Sequence, residues 1–366
     1  MVKTLFENPF VPGLELRRYP EATDPTLQAW DSADELLLDH LGGQDLTGKR
    51  ILIVGDAFGA LTSALARFEP QTYTDSFISA TAIRRNTKGR EVLSRLADLA
   101  GTFDLVLMKI PKNMSFFEDI LCHLTGHLNP SSQVVCGAMV KHLAGSSFDL
   151  LEKYLGPVTT SLARKKARLL FTSFTKAQVP SPYPMRVKIE GFEKEFLHHS
   201  NLFSREKLDV GTRFFLEHLP RGTYQTILDL GCANGVVGIK AKLLNPGAKV
   251  IFSDESFMAI ESAKANYQSF FTDPADFLWT NCYEEQAAES LDLVLCNPPF
   301  HQQHTIGDFI AMAMFKDARH SLKKGGLLRV IGNSHLGYQL RMKSVFKNST
   351  VRATNAKFMI VDSIKV

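Results

Sequence analysis

Thr226-Ile-Leu-Asp-Leu-Gly-Cys-Ala-Asn-Gly-Val-Val-Gly238 is the stretch on which the fold turns. Ile227, Leu228 and Leu230 form a short apolar run of the kind a buried strand needs, and Val236 to Leu244 continue with helical spacing. Between them lie Gly231, Ala233 and Gly235, small residues that allow a sharp turn and a close approach of ligand to backbone. Strand, glycine-bearing turn and helix make the geometry of a nucleotide site, with the helix N-terminus favouring negative charge. Lys249-Val-Ile-Phe-Ser-Asp254 then reads as a second strand, tipped by a carboxylate that can accept both ribose hydroxyls of an adenosine-type ligand.

Further along, Leu291-Asp-Leu-Val-Leu-Cys296 has the pattern of another buried strand and runs into Asn297-Pro-Pro-Phe300. Proline lacks an N–H, so this segment offers acceptors, chiefly the Asn297 side-chain oxygen and the Pro298 carbonyl. Two acceptors aimed at one amine bind both of its protons and leave the lone pair facing outward. Phe300 adds a ring on which a planar base can stack. The clamp suits methylation of an exocyclic or amide nitrogen. Read alone, Asn-Pro-Pro-Phe is a turn ending a strand. Placed after the glycine turn and the acid-tipped strand, it completes one site at the carboxyl ends of neighbouring strands.

On these motifs, residues 186–366 resemble the class I S-adenosylmethionine-dependent methyltransferases. Asp229-Leu-Gly231-Cys-Ala233-Asn-Gly235 matches the family's acidic-x-Gly-x-Gly-x-Gly loop, with Ala233 standing where the family has its central glycine. Asp254 matches the ribose acid, and Asn297 to Phe300 the amine-methylation motif. His301-Gln-Gln-His304 and Phe203-Ser-Arg-Glu-Lys-Leu-Asp209-Val-Gly211-Thr212 are similar to the ribosomal RNA guanine-N2 methyltransferases of the RlmG/RsmC type, and the Gln-Gln-His ending looks more like the large-subunit members. The resemblance runs through most of the chain.

It implies S-adenosylmethionine as cofactor, bound through Asp229, Gly231, Ala233, Gly235, Asp254, Asn281 and Asn297, with Asn281 beside the adenine amine. It implies Asn297, Pro298 and Phe300 as the catalytic clamp on N2 of a guanine, in 23S ribosomal RNA first, either naked or in an assembly intermediate. The motifs also permit 16S RNA, adenine N6 or a protein glutamine as substrate. A reading from a different class is a non-catalytic RNA-binding protein whose cofactor loop is impaired by Ala233.

A length of 366 residues implies two domains. Gln178-Val-Pro180-Ser-Pro182-Tyr-Pro184 disfavours helix and central strand alike, and on each side of it the chain repeats itself. Lys49-Arg-Ile-Leu-Ile-Val-Gly55-Asp-Ala-Phe-Gly59 parallels the stretch from Thr226, and Tyr73-Thr-Asp75-Ser parallels Phe252-Ser-Asp254-Glu. The helices that follow reach Asn86 and Asn266, and Asp104 to Lys112 parallels Asp292 to Phe300. The expected fold class is therefore α/β: two tandem Rossmann-like methyltransferase domains related by duplication, the first degenerate. The expected boundaries are 1–177, a proline-rich linker 178–185, and a catalytic domain 186–366. In the first copy Lys109-Ile-Pro-Lys112 replaces the clamp, so a scaffold that recruits substrate is expected there, in preference to a second nucleotide site.

A net charge of +4 is only mildly basic, so RNA contact must come from local patches. Arg164, Lys165, Lys166 and Arg168 form the expected phosphate-binding run, with Arg84 to Arg90 and the pair Lys109 and Lys112 as further clusters. The five cysteines are scattered and His301 with His304 lacks further ligands, so no metal is expected. His198 and His199 lie on an alternating stretch, which predicts that at least one is exposed. No apolar stretch resembles a signal peptide or a membrane span, and a cytoplasmic monomer is expected.

Overall fold

Two sheets, each with parallel strands extended at one end by an antiparallel pair, organise the chain. The computed structural model describes residues 4–21, 24, 26–202, 208–299 and 304–366, the side chains of 304–308 excepted. It divides into two compact units, Met1–Tyr183 and Pro184–Val366.

The first unit opens with a hairpin of β1 (Thr4–Phe6) and β2 (Leu14–Leu16), followed by α1 (Ser32–Leu41). Then come β3 (Ile51–Val54), α2 (Ala60–Ala64), β4 (Gln71–Tyr73), α3 (Phe77–Asn86), β5 (Leu105–Lys109) and α4 (Met114–Leu124). β6 (Gln133–Met139), α5 (Gly145–Tyr154), β7 (Thr159–Thr160) and β8 (Ala167–Ser173) complete it. The sheet order is β4-β3-β5-β6-β8-β7, with β8 and β7 antiparallel.

The second unit repeats the plan. A hairpin of β9 (Met185–Val187) and β10 (Phe196–His198) precedes α6 (Val210–Glu217). β11 (Thr226–Leu230), α7 (Val236–Leu244), β12 (Lys249–Asp254), α8 (Phe257–Phe270), β13 (Asp276–Trp279) and β14 (Leu291–Cys296) follow. α9 (His304–Ser321), β15 (Leu322–Asn333), α10 (Tyr338–Phe346), β16 (Thr350–Thr354) and β17 (Phe358–Ile364) end the chain. The order is β13-β12-β11-β14-β15-β17-β16. β11 and β14 are buried along almost their whole length because helices cover both faces, which is why they read as continuous apolar runs. Ile227, Leu293 and Leu295 pack with α6, α7 and α8 on one face, and Leu228, Leu230, Val294 and Cys296 with α9 and α10 on the other.

The two orders differ by one strand. Where the second unit has β13, the first keeps a single parallel bridge between Tyr73 and Leu93, with Leu93 N donating to Thr72 O at 2.8 Å. The pairings also correct the proposed repeat by one residue. Leu230 pairs with Ser253 and Val54 with Tyr73, so Thr74, not Asp75, stands where Asp254 stands. Each of these side chains accepts from the serine that caps the next helix: Ser76 N to Thr74 Oγ1 at 3.2 Å, Ser256 N to Asp254 Oδ1 at 3.0 Å.

The proline-rich stretch contains neither helix nor strand, and as far as Tyr183 it is tied to α4. Val179 N donates to Thr125 Oγ1 at 3.1 Å, Ser181 Oγ to Asp119 at 2.6 Å, and Tyr183 OH to Glu118 at 2.9 Å. Two of these attachments come from the polar residues between the prolines, Ser181 and Tyr183.

Candidate active site

The loop after β11 is shaped by its own backbone. Gly231 and Gly235 have φ of 77° and 79°, and Ala233 between them has φ of 47°. Gly231 N and Cys232 N both donate to Ser253 O, at 2.9 and 3.0 Å, while Ala233 N donates to Asp254 Oδ2 at 2.9 Å. The alanine at the family's central glycine therefore sits in the left-handed region, at a cost of about 1–2 kcal/mol for a residue bearing a Cβ. A Cβ on Gly235 would lie 3.0 Å from Ala263 Cβ of α8, so glycine lets this turn close against that helix.

Two side chains that sequence reading did not single out for this role hold the loop from outside. Asn234 Nδ2 donates to His198 Nε2 at 2.7 Å, and Asn266 Nδ2 donates to Asn234 O at 2.9 Å. Asn266 also brackets Leu197 of the hairpin, accepting from its N–H at 2.6 Å and donating to its carbonyl at 3.0 Å. His198 is buried and His199 half-buried, with Nδ1 2.7 Å from Ser262 Oγ; the expected exposure is absent because the hairpin packs on α8.

Asp229 lies beneath the loop, not on its surface. It is 3% exposed, and Oδ2 accepts from Gly238 N at 2.8 Å, fixing the first turn of α7. Burial pushes its carboxyl up to about 8, against the pull of the Gly238 amide. A Cβ on Gly238 would come 2.4 Å from Phe252 Cε1, so glycine is required for this approach. Asp254 Oδ1 accepts from Ser256 N and Oδ2 from Ala233 N, and a carboxylate with about four lone-pair sites has capacity for hydroxyls besides. Burial raises its pKa as well.

Asn281 follows β13, with Nδ2 donating to Glu284 Oε2 at 3.0 Å and Oδ1 within 3.7 Å of Cys282 Sγ. Burial and then the charges of Glu285 and Asp317 lift Glu284 to about 7. Trp279 Nε1 donates to Glu255 O at 2.8 Å, and the ring meets Phe257 edge-on at 5.2 Å.

Asn297 ends β14. Its Nδ2 donates to Thr212 Oγ1 at 3.1 Å, and its Oδ1 is buried with no hydrogen-bond partner among the described residues. Pro298 behind it is buried. Gly231, Asp254, Asn281 and Asn297 all fall at carboxyl ends of β11, β12, β13 and β14, on the edge of the sheet where ligands of such folds bind. Phe300 and His301 lie outside the described residues, and His304 begins α9. Among the described residues no group of histidine, cysteine and carboxylate side chains could hold a metal. Cys232 and Cys296 are buried thiols whose pKa burial drives well up, as small apolar fillers require.

The same places in the first unit are filled by the protein itself. Lys109 ends β5 where Asn297 ends β14, and its Nζ donates to Asp31 at 2.7 Å and Asp34 at 2.9 Å. It is half-buried, and the two carboxylates offset its charge, contrary to the sequence reading. Asp56, in the loop, spends its carboxylate on Gly59 N, Ala60 N and Thr62 N. Asn86 repeats the Asn266 clamp, donating to Phe58 O at 2.7 Å and bracketing Arg17.

The basic run forms a hairpin tip before β8, with Lys165 and Lys166 at positive φ. Arg164 pairs with Asp39, and Lys165 with Glu35 at 2.6 Å, so α1 neutralises two of its four cations. Lys166 is exposed and Arg168 half-buried. In the second cluster Arg85 lies 4.3 Å from the Tyr19 ring and Arg90 bonds the Ala66 carbonyl at 2.5 Å.

Residues 6–176 match the RLMG N-terminal domain, and residues 193–362 the methyltransferase small domain. The solved structure of the Thermus thermophilus 16S rRNA N2 G1207 methyltransferase, in complex with AdoMet and guanosine, superposes with a TM-score of 0.81 at 19% identity, covering 100% of this chain and 98% of that one. That likeness is one of fold: two tandem α/β methyltransferase-like units. The protein named ribosomal RNA large subunit methyltransferase G from Stutzerimonas stutzeri is 44% identical over 99% of both chains. Its namesake from Pseudomonas paraeruginosa is 46% identical over 99% of this chain and 100% of its own. At that identity, sustained over the full length of both units, the chain belongs to the ribosomal RNA large subunit methyltransferase G family.

Proposed function

We propose that the protein transfers a methyl group from S-adenosylmethionine to the exocyclic N2 amine of a guanine in 23S ribosomal RNA. The observation that carries this reading is Oδ1 of Asn297, buried just past β14 without a partner among the described residues. An acceptor left unsatisfied there costs about 1–3 kcal/mol, and an amine proton from the substrate satisfies it. The names of the full-length relatives support large-subunit RNA over 16S RNA or a protein glutamine.

The residues present fit the cofactor. Asp254 has lone pairs to spare for a ribose diol, and the Gly231–Gly235 turn is held open by His198 and Asn266. Asn281 stands at the end of the next strand for the adenine. When bound, S-adenosylmethionine supplies an electrophilic methyl on a sulfonium centre.

The protein's own part is to hold the amine. The guanine N2 lone pair is delocalised into the ring, which makes it a poor nucleophile. Asn297 Oδ1 and the Pro298 carbonyl accept its two protons, favour a more pyramidal nitrogen and direct the lone pair outward. Alignment of this kind contributes up to about 7–11 kcal/mol in favourable cases. The product amine gives its extra proton to water, so no strong base is required. Reaching N2 in folded RNA demands an unstacked base, packed on Phe300. The first unit, with Lys166 at its hairpin tip and Arg168 at the start of β8, guides RNA phosphates. The protein acts as a cytoplasmic monomer.

The test is incubation with tritiated S-adenosylmethionine and, separately, protein-free 23S and 16S RNA, followed by nucleoside analysis. Label in N2-methylguanosine from 23S RNA is expected. Label in N6-methyladenosine, or only in 16S RNA, overturns the base or the substrate.

A further inference from the structure

A primary amide is a two-faced group. Turning Asn297 by half a revolution exchanges an acceptor for a pair of donors, and a substrate amine facing those donors would be repelled rather than bound. Something must therefore select the orientation that offers oxygen. The only side chain bonded to Asn297 among the described residues is Thr212, whose Oγ1 accepts from Nδ2 at 3.1 Å while Oδ1 is left free.

Thr212 is well placed to select. It occupies the third position of α6, and its own N–H donates to the helix cap Asp209 at 3.0 Å. A Cβ on the preceding Gly211 would lie 2.8 Å from Phe358 Cε1, so glycine brings this turn close against β17. At the other end of α6, Arg329 bonds the carbonyl of His218, and Arg329 is in turn locked to Asp362 by bonds of 2.7 and 2.6 Å. The β-branched side chain is confined to two main rotamers in a helix.

A hydroxyl can donate as well as accept, and the first unit indicates the direction. There the third residue of α1 is Asp34, which can only accept when ionised, and the strand-end residue is Lys109, which can only donate. Both copies place a donor at the strand end and an acceptor at the third position of the helix.

We propose that Thr212 is a positioning residue for methyl transfer: its hydroxyl fixes the Asn297 amide so that Oδ1 faces the substrate amine. This rests on the reading of the site as an amine methyltransferase. Thr212→Val removes the acceptor and Thr212→Ser keeps it. With Thr212→Val, kcat on RNA falls about 10- to 100-fold, with KM for both substrates within about threefold of wild type, because the lost interaction matters only when the amine reacts. Thr212→Ser stays within about fivefold of wild type. The idea is overturned by wild-type kcat in Thr212→Val, by equal loss in Thr212→Ser, or by a loss that tracks weaker S-adenosylmethionine binding.

A second readout does not depend on turnover. With ¹⁵N-asparagine labelling, and assignment by the signal that disappears in Asn297→Asp, one Asn297 amide proton exchanges slowly in wild type and Thr212→Ser and rapidly in Thr212→Val. Identical exchange in all three sinks the proposal even if the wild type methylates no RNA supplied. Failure of the wild type to label guanine N2, with the exchange difference intact, sinks only the substrate assignment.

Discussion

Lys109 Nζ lies 2.9 Å from Asp34 Oδ1, and the pair fills in the first unit the place that Asn297 and Thr212 hold in the second. An ammonium between Asp31 and Asp34 leaves no acceptor to offer an amine. Burial and the Asp31 and Asp56 charges raise Asp34, the Lys109 charge opposing them, to a net value of about 6. Lys109→Ala should cost about 3–5 kcal/mol of first-unit stability, because it strands the buried Asp34 charge. Denaturant unfolding measures that loss, while S-adenosylmethionine binding should stay at the wild-type level. A parallel loss of binding would place cofactor chemistry in the first unit after all.

Asn297→Ala removes the orphan oxygen and leaves the loop and Asp254 untouched. Its kcat should fall by about 10²–10³ or more, as for loss of one preorganised hydrogen-bonding group in other enzymes. Calorimetric titration of S-adenosylmethionine should give a Kd within about threefold of wild type. Equal losses in both would assign Asn297 to cofactor binding alone.

Ala233 holds φ of 47° with its amide on Asp254. Ala233→Gly relieves a left-handed alanine and should raise stability by about 1 kcal/mol, less the extra freedom glycine gives the unfolded chain. A rise in melting temperature of the ligand-free protein checks this, and a fall would show that the alanine methyl packs usefully.

Asp229 supplies a pH dependence. Its carboxyl is raised from 3.8 in the unfolded chain to about 8 in the fold, so the folded state binds the proton more tightly. Its contribution to stability is fully present below the unfolded value and is lost as pH rises through about 8. Asp229→Asn retains an acceptor for Gly238 without a charge. Melting curves between about pH 4 and pH 9 should therefore show the wild type losing stability relative to the variant as pH rises. Parallel curves would mean that water relieves the burial.

Arg164 and Lys165 are already paired with Asp39 and Glu35. Lys166→Ala should thus weaken RNA binding more than Lys165→Ala, and should lower the salt slope by about 0.7–0.9, the change that follows when one phosphate is no longer neutralised. Filter binding of 23S RNA at several salt concentrations decides; equal effects of the two would mean that RNA breaks the Glu35 pair.

Much of the second unit was legible because buried parallel strands leave continuous apolar runs. Thr226–Leu230, Lys249–Asp254 and Leu291–Cys296 appear where their runs predict. What stayed hidden depends on partners remote in sequence. Thr212 meets Asn297 from 85 positions away, and nothing in the intervening chain marks the pair. The carboxylates that quench Arg164 and Lys165 lie on α1, 125 and 130 positions earlier. The equivalence of Thr74 with Asp254 needed strand register, which a motif of similar residues displaced by one.

Asn86 and Asn266 perform one task in two settings, each tying a glycine loop to a hairpin ahead of the sheet. In the first unit that loop is already occupied by Asp56. The clamp there joins loop to hairpin with no ligand site to serve, which makes it part of the frame. The reacting positions could be exchanged piecemeal, since each is a single side chain at a strand end. The first unit consequently keeps the frame of a reaction site while the positions that would react, 34, 56, 74 and 109 among them, carry side chains that serve its own packing.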